Sequence, residues 1–174
     1  LHGNRYGAHD LAPIIFFDST LRKLDKGYSQ FLQEYADHLV ASTCRIAKTR
    51  PVYLLRPLPE MPVDVPRAML RAAQLGRPAG VATALATYHQ RHAVTWAAQD
   101  KAQSNCGAHL LNPLPHLCDG QFCLGANAGK PRYYDDHHLA GTGNRRLVPP
   151  FAIAVGNELT GSVPDSKIKH KIAP

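Results

Sequence analysis

The residues best able to do chemistry lie together late in the sequence, where two aspartates precede two histidines: Asp135, Asp136, His137 and His138. An aspartate three positions before a histidine can lie on the same turn, with its carboxylate beside the imidazole. That arrangement suits a general-base histidine oriented by a carboxylate. It also suits a metal site or a solvated polar loop, so the surrounding elements must decide among the three.

Metal binding is an alternative for this Asp/His cluster because imidazole and carboxylate groups suit zinc or manganese. Four consecutive side chains point in different directions, however, so the whole cluster is not expected to reach one ion. His89 and His92 lie three apart in a predicted helix, a spacing that can hold a metal, but no third ligand is evident. The sequence therefore predicts no metal site, and His92, between Tyr88 and Trp96, is predicted to be a hydrogen-bonded core or surface residue.

Composition argues against two broad classes of function. The chain has 174 residues, 44% hydrophobic and 19% charged, which is typical of one globular domain. No apolar run approaches the roughly 20 residues of a transmembrane helix. The net charge of +7 would suit nucleic acid, but the basic residues are scattered and do not alternate with aromatic ones, so nucleic-acid binding is not expected. The densest basic cluster, residues 167–171, is predicted to be a flexible end or a surface that tolerates anionic glycans and lipids.

The four cysteines bear on the cellular compartment. Cys118 and Cys123 flank a short loop with a turn-forming Asp-Gly pair, which predicts a small disulfide loop and an oxidising compartment. A zinc site would need Cys-x2-Cys pairs, which do not occur. Cys44 and Cys106 either pair with each other or are buried thiols, and the sequence does not decide between these.

Helices and strands alternate along the chain. Residues 18–20, Asp-Ser-Thr, are good helix caps ahead of a long amphipathic helix that includes residues 28–43. The further predicted elements are a strand at 51–56, a short helix begun near Pro66, a long helix at about 81–103, a strand at 108–112 and a short helix at 139–147. This alternation indicates an α/β sandwich with a parallel sheet, in which working residues follow the carboxyl ends of strands. The Asp/His cluster lies in a loop after the last predicted strand, where a site is expected.

Two pairs of polar or aromatic residues receive structural interpretations. Arg56 and Glu60 flank a proline-rich turn after the first of these strands and are predicted to form a structural ion pair rather than to contact substrate. Tyr133 and Tyr134 are predicted to pack the loop of the Asp/His cluster against the core, with stacking on a sugar as the alternative for one of them.

Several motifs, in their order and spacing, resemble one family over about residues 40–150. They are Arg56-Pro57-Leu58-Pro59-Glu60, Asp64-Val65-Pro66, Tyr88 with Arg91, Leu117-Cys118-Asp119-Gly120-Gln121-Phe122-Cys123 and Tyr133-Tyr134-Asp135-Asp136-His137-His138-Leu139. They resemble the SGNH-hydrolase-like domain at the C-terminus of membrane acyltransferases of the acyltransferase-3 family, which O-acetylate cell-envelope polysaccharides. The resemblance implies a three-layer α/β/α sandwich with a parallel sheet, SGNH- or flavodoxin-like, with or without its first strand. Residues 1–150 would be the C-terminal portion of that domain, and residues 151–174 a flexible extension.

The resemblance also assigns roles to site residues. In that family an Asp-x-x-His motif supplies two members of a Ser-His-Asp triad, so Asp135 would be the acid and His138 the base, with Asp136 and His137 as spacers. The family's nucleophile lies in a Gly-Asp-Ser motif, which does not occur in these 174 residues. The serine is therefore expected outside the chain, and Ser19, which lacks the preceding glycine, is predicted to be a helix cap. Gly3 and Asn4 resemble the remnant of a block that supplies oxyanion-hole donors.

The function implied is acyl transfer onto cell-envelope polysaccharide through a serine ester. No metal or organic cofactor is expected in the site. The acetyl group would come from an integral-membrane acyltransferase domain of the same polypeptide, at the periplasmic face of the inner membrane, and an envelope carbohydrate would accept it. The alternatives are an esterase or deacetylase, a non-catalytic glycan-binding module or inactive fragment of the same fold, and a fragment whose sheet another chain completes.

Overall fold

A computed structural model describes residues 28–160 and two short strands at 16–17 and 22–23, with side chains described over residues 29–156. The fold is mixed α/β, as predicted. The helices are α1 Tyr28–Ala47, α2 Val65–Gln74, α3 Leu85–Cys106, α4 Leu114–Leu117, α5 Gly141–Asn144 and α6 Val148–Thr160, with a 3-10 helix at Arg145–Leu147. The strands are β1 Phe16–Phe17, β2 Arg22–Lys23, β3 Tyr53–Leu55, β4 Ala82–Ala84, β5 His109–Leu111, β6 Phe122–Leu124, β7 Ala126–Asn127 and β8 Lys130–Pro131.

The strands form four two-stranded sheets within the described residues. Strands β3 and β5 pair in parallel, with Tyr53 opposite His109 and Leu55 opposite Leu111, so the predicted parallel pairing is confirmed for these two strands. The other pairs, β1–β2, β4–β6 and β7–β8, are antiparallel. The Asp/His cluster follows β5 along the chain, and α4 with the three short strands β6, β7 and β8, which the sequence did not predict, lies between them.

Several predicted elements are confirmed, and one is corrected. Helix α2 begins as expected near Pro66, and the side chain of Asp64 caps it by accepting from Arg67 N at 2.9 Å. The long helix predicted from residue 81 instead begins at Leu85, because Ala82–Ala84 pairs with β6. It ends at Cys106 and is capped by Gly107, whose φ of 70° is a left-handed conformation.

The predicted cap at residues 18–20 lies outside the described residues, and α1 begins only at Tyr28, after β2. At the other end of the chain, the boundary predicted at residue 150 falls within α6. Within the described residues, every helix is too short or too polar to cross a lipid bilayer.

Two disulfides tie the elements together. The predicted pair Cys118–Cys123 is present, and the pairing left open for Cys44 and Cys106 is resolved as a bond between α1 and α3. The Cys44–Cys106 bond lies beside a small core in which Ala98, Ala102 and Ala108 pack against Val40. Small residues there let the two long helices approach closely.

Arg56 is buried at the end of β3 and is neutralised by α3. Its guanidinium forms an ion pair with Asp100, donates to the Trp96 carbonyl oxygen at 2.9 Å and lies 4.0 Å from the centre of the Trp96 ring. The predicted pairing of Arg56 with Glu60 is wrong, because Glu60 instead pairs with Arg91 at 2.6 Å. The two ion pairs join the residues that follow β3 to α3, and so fix the position of the proline-rich turn at residues 57–60.

The two disulfides are predicted to contribute unequally to stability. In the chain-entropy picture, the bond between Cys44 and Cys106, 62 residues apart, stabilises the fold by about 4 kcal/mol, and the bond between Cys118 and Cys123, five apart, by about 2 kcal/mol. Mass spectrometry without reductant should first show both pairs linked. Urea unfolding of the two double-serine variants then measures each loss, and a larger loss for the short loop would contradict the prediction.

Gly143→Ala is predicted to be destabilising because this glycine lies against backbone. A Cβ at Gly143 would overlap the carbonyl oxygen of Arg132 and come within 2.8 Å of Leu139 Cδ2. We expect a loss of about 1–3 kcal/mol in the free energy of unfolding. Gly141→Ala in the same short helix is the matched control, since its Cβ would meet only Arg145 Nη1 at 3.9 Å. Indistinguishable denaturation midpoints for the two variants would refute the steric argument.

Candidate active site

The Asp/His cluster lies in a closed loop, residues 133–139, which we call the site loop. Its ends form an antiparallel bridge between Tyr133 and Leu139, and Tyr134 N donates to the His138 carbonyl oxygen at 2.7 Å. Tyr133 is fully buried and Leu139 nearly so, and both belong to the main hydrophobic core. The core therefore holds both ends of the loop while its polar residues project between them.

The turn before α2 supports the site loop from outside. Met61 N donates to the Asp136 carbonyl oxygen at 2.6 Å, and Val65 N donates to the Asp135 carbonyl oxygen at 3.1 Å. Both Met61 and Val65 are buried in the main core. These two bonds fix the backbone of the two aspartates, and they connect the proline-rich turn to the site.

Asp135 organises the loop with one carboxylate. Its Oδ1 accepts from the backbone N–H groups of His137 and His138, each at 2.8 Å, and its Oδ2 lies 2.7 Å from His138 Nδ1. An ionised carboxylate can only accept, so Nδ1 of His138 carries the proton and Nε2 is the basic nitrogen. The His138 side chain is 66% exposed, so Nε2 can be reached from outside.

The electrostatics keep Asp135 ionised. Desolvation pushes the pKa of Asp135 upward, but the hydrogen bond from His138, the two backbone N–H donors and the nearby His137 outweigh it and hold that pKa well below its usual range. Asp135 is therefore a charged acceptor throughout the neutral range. It can orient the imidazole of His138 and stabilise its protonated form.

Asp136 and His137 form a second acid–base contact beside the first. His137 Nδ1 lies 2.8 Å from Asp136 Oδ1, and this hydrogen bond lowers the pKa of Asp136. The rings of His137 and His138 are 3.9 Å apart between centres. The three-residue spacing in the sequence indicates the Asp135–His138 contact, but nothing in the sequence indicates the contact between Asp136 and His137.

A metal could be held by three residues of the cluster. Ligand atoms of Asp135, His137 and His138 all lie within 4.8 Å of one another. Asp136 is not among them, so three of the four residues of the cluster, and not all four, are placed to share one ion. Each Nδ1 already lies at hydrogen-bond distance from a carboxylate, so a zinc or manganese ion bound through Nδ1 would have to replace that bond, whereas an ion bound through Nε2 would leave it in place.

Other residues considered from the sequence have different outcomes. Gly3, Asn4 and Ser19 lie outside the described residues. Tyr133 packs against the core as predicted, whereas Tyr134, which was also expected to pack there, is 70% exposed beside the site. A large, exposed aromatic ring next to an acid–base pair is available to stack on a ligand.

His92 lies among aromatic rings on α3 rather than in a metal site. Its ring is 4.7 Å from that of Tyr88, and its Nε2 is buried with no hydrogen-bond partner among the described residues. The prediction that His92 is hydrogen-bonded is therefore wrong for its Nε2 atom. Burial and the neighbouring Arg91 and His89 lower the pKa of His92 to about 4, so its imidazole is uncharged at neutral pH.

Asp135→Asn is predicted to weaken the fold in a pH-dependent way. A carboxyl group whose pKa is depressed in the folded protein stabilises the fold above its unfolded pKa of about 3.9, and this contribution is lost as pH falls through the folded value. The stability difference between wild type and variant should be fully present at neutral pH and should shrink below about pH 4. Urea unfolding across this range measures it, with the exposed Asp37→Asn as the control. A difference that grows on acidification would contradict the assignment.

Comparison with known proteins identifies the family. Residues 3–152 match the family described as SGNH domain (fused to AT3 domains), a match that includes the site loop. No curated protein and no solved structure matches the chain. The fusion to AT3 domains indicates an acyltransferase- or hydrolase-type function and a membrane-associated acyltransferase domain as partner. The resemblance found in the sequence is therefore confirmed, and the chain belongs to the family of SGNH domains fused to acyltransferase-3 domains.

Proposed function

We propose that this chain supplies the base and its orienting acid for a serine-dependent acyl transfer, the O-acetylation of a cell-envelope polysaccharide. The observation that carries the proposal is the 2.7 Å contact between His138 Nδ1 and Asp135 Oδ2. It leaves Nε2 as the basic nitrogen on an exposed side chain. An oriented imidazole with an accessible nitrogen is what activation of a serine requires.

In this mechanism His138 Nε2 accepts the proton of a serine hydroxyl while the serine oxygen attacks the acetyl carbonyl. Asp135 stabilises the imidazolium that forms. The departing donor group takes that proton, leaving an acetyl-serine. A sugar hydroxyl then gives its proton to the same Nε2 as its oxygen attacks the acetyl carbonyl. The bond between the acetyl carbon and the serine oxygen breaks, and the serine oxygen takes the proton back from Nε2, which restores the free serine and the neutral imidazole. With water in place of the sugar, the same steps give an esterase or deacetylase, so the acceptor decides between transfer and hydrolysis.

The serine in this proposal comes from a segment outside these 174 residues, because Gly-Asp-Ser does not occur among them. Gly3 and Asn4 are proposed to contribute oxyanion-hole donors beside it. No metal or organic cofactor takes part in these steps.

We propose that the whole domain is a three-layer α/β/α sandwich. The parallel pair β3–β5, with α2 and α3 in the connection between its strands, supports this, since parallel neighbours joined through helices are the repeating unit of such sandwiches. The strand that carries the serine would extend the same sheet.

The periplasmic face of the inner membrane is the proposed location. Two disulfides, Cys44–Cys106 and Cys118–Cys123, favour an oxidising compartment, and family members are fused to membrane acyltransferase domains that would hand over the acetyl group. A carbohydrate acceptor is supported by Tyr134, whose exposed ring beside His138 offers a platform for a sugar.

A second candidate is a glycan-binding module that does not turn its ligand over. The observation in its favour is that these 174 residues contain no Gly-Asp-Ser motif. His138 therefore has no serine of that motif to activate within this chain. In that case Tyr134 would bind sugar while the Asp135–His138 contact served only to close the site loop.

His138→Ala is predicted to abolish most of the activity of a protein in which this chain is joined to the segment bearing the serine. Loss of the general base should lower the rate of p-nitrophenyl acetate hydrolysis by about 10²–10⁴-fold. His137→Ala is the matched control, an adjacent imidazole with its own carboxylate, and should change the rate less than about tenfold. Equal rates for wild type and His138→Ala would remove His138 from the mechanism.

Ser19→Ala and the isolated 174-residue chain complete the experiment. The chain alone should be inactive, and Ser19→Ala should leave the joined protein fully active. Activity of the chain alone that disappears in Ser19→Ala would place the nucleophile at Ser19 and overturn the proposed source of the serine. A joined protein without activity that still binds an acetylated glycan would favour the binding module.

A further inference from the structure

Helix α2 carries a row of polar residues that starts beside the site loop. Val65 N donates to the Asp135 carbonyl oxygen at 3.1 Å, so the first turn of α2 touches the site loop. The helix runs for ten residues from there, a length of about 15 Å. Arg67, Arg71 and Gln74 are all exposed, and their four- and three-residue spacing places them on one face of the helix.

The opposite face of α2 fixes the direction in which these residues point. Val65 is fully buried, and Ala68 and Met69 pack against the main hydrophobic core. A helix held by that apolar face presents the arginines to solvent.

The end of α2 adds a third arginine. Gly76 has a left-handed φ of 61°, and Arg77 N donates to the Ala72 carbonyl oxygen at 2.9 Å, so the backbone of Arg77 is held against the last turn. Its side chain is exposed. We call the following four residues the α2 strip: Arg67, Arg71, Gln74 and Arg77.

The arginines of the α2 strip have no acidic partner among the residues that the structure describes. Residues 65–99 contain four arginines and no aspartate or glutamate. The fourth of these arginines, Arg91, pairs with Glu60. The positive charge along α2 is therefore not neutralised within the helix or by the ion pairs around it.

The acidic groups near α2 lie at its site-loop end. Asp64 caps the helix by accepting from Arg67 N, and Asp135 and Asp136 in the site loop each lie at hydrogen-bond distance from a histidine. Strand β8, next to α2, adds the exposed Lys130. The arginines thus continue away from the site loop while the carboxylates stay beside it.

The chemistry of arginine indicates what the α2 strip binds. A guanidinium group pairs with carboxylate and phosphate groups through two parallel hydrogen bonds. Three arginines spread along a helix of about 15 Å need a partner that repeats its negative charge along its length. The amide of Gln74 can in addition bind hydroxyl groups. A polysaccharide that bears carboxylate or phosphate groups meets both requirements.

A lipid bilayer fits this surface less well. Leu70 and Leu75 are 60% and 59% exposed, but they are five residues apart, which separates them by about 140° around the helix. They therefore do not form the single apolar face by which a helix lies in a membrane interface.

We propose that the acceptor is an anionic polysaccharide and that the α2 strip binds its charged groups while a neighbouring sugar lies at the site loop. The proposal rests on the proposed function, because it names the class of carbohydrate that the acyl group would reach. Binding along α2 would hold a long polymer beside His138 through contacts that do not take part in the chemistry.

The test is the binding of the 174-residue chain to three polymers of equal length, measured by isothermal titration calorimetry. They are carboxymethyl-dextran, phosphorylated dextran and unmodified dextran. We expect binding to at least one of the two charged polymers, with an affinity that falls as salt is raised, and at least tenfold weaker binding to unmodified dextran. The two charged polymers distinguish a carboxylate-bearing acceptor from a phosphate-bearing one.

Arg67→Gln combined with Arg71→Gln should weaken binding to the charged polymer by about tenfold, since each exposed charge pair contributes modestly. The matched control is Arg45→Gln with Arg50→Gln, two exposed arginines near the end of α1. It removes the same charge and should bind within about twofold of the wild type. Circular dichroism confirms that each variant is folded.

Three results would overturn the proposal. They are no binding to either charged polymer, equal binding of unmodified dextran, and an equal loss of affinity in the α1 control. Binding is measured without a serine, so an inactive joined protein would count against the proposed acyl transfer and not against the α2 strip. A failure of binding would instead leave the acyl transfer standing, with an acceptor that the α2 strip does not hold.

Discussion

The carboxylate of Asp135 holds the site loop in shape because it accepts three hydrogen bonds at once, from two backbone N–H groups and from the imidazole of His138. Each of these donors would otherwise project from a tight loop without a protein partner. The same carboxylate sets the tautomer of His138 and thereby decides which nitrogen is basic. Structure and chemistry at this site therefore depend on one ionised group, whose pKa its own donors keep low.

The frame around that group is built from distant parts of the chain. Met61 and Val65 bind the backbone of the two aspartates, and the Glu60–Arg91 pair ties the turn that carries Met61 to α3. Buried Arg56 fastens the end of β3 to the same helix. The proline-rich turn is thus connected to the site loop on one side and to α3 on the other, which gives its resemblance to a family motif a physical role.

How much of this the sequence could predict depended on how local each interaction was. The Asp135–His138 contact spans one turn, so the spacing of the two residues was enough to predict it. The Cys118–Cys123 bond could be predicted in the same way, because it closes a loop of only a few residues. The partner of Arg56, Asp100, lies in another element, and the Cys44–Cys106 bond joins two helices, so both needed the tertiary fold. The sequence predicts helix for strand β4 because its three residues run directly into α3, and only their pairing with β6 distinguishes them from the helix.

The central claim is that His138 Nε2 faces a serine, and an experimental structure of the chain joined to the segment that carries Gly-Asp-Ser tests it most directly. The account predicts the serine Oγ at about 2.6–3.2 Å from Nε2, on the opposite side of the imidazole from Asp135. An Nε2 bound to a metal ion, or a serine beyond reach of His138 with substrate in place, would contradict it.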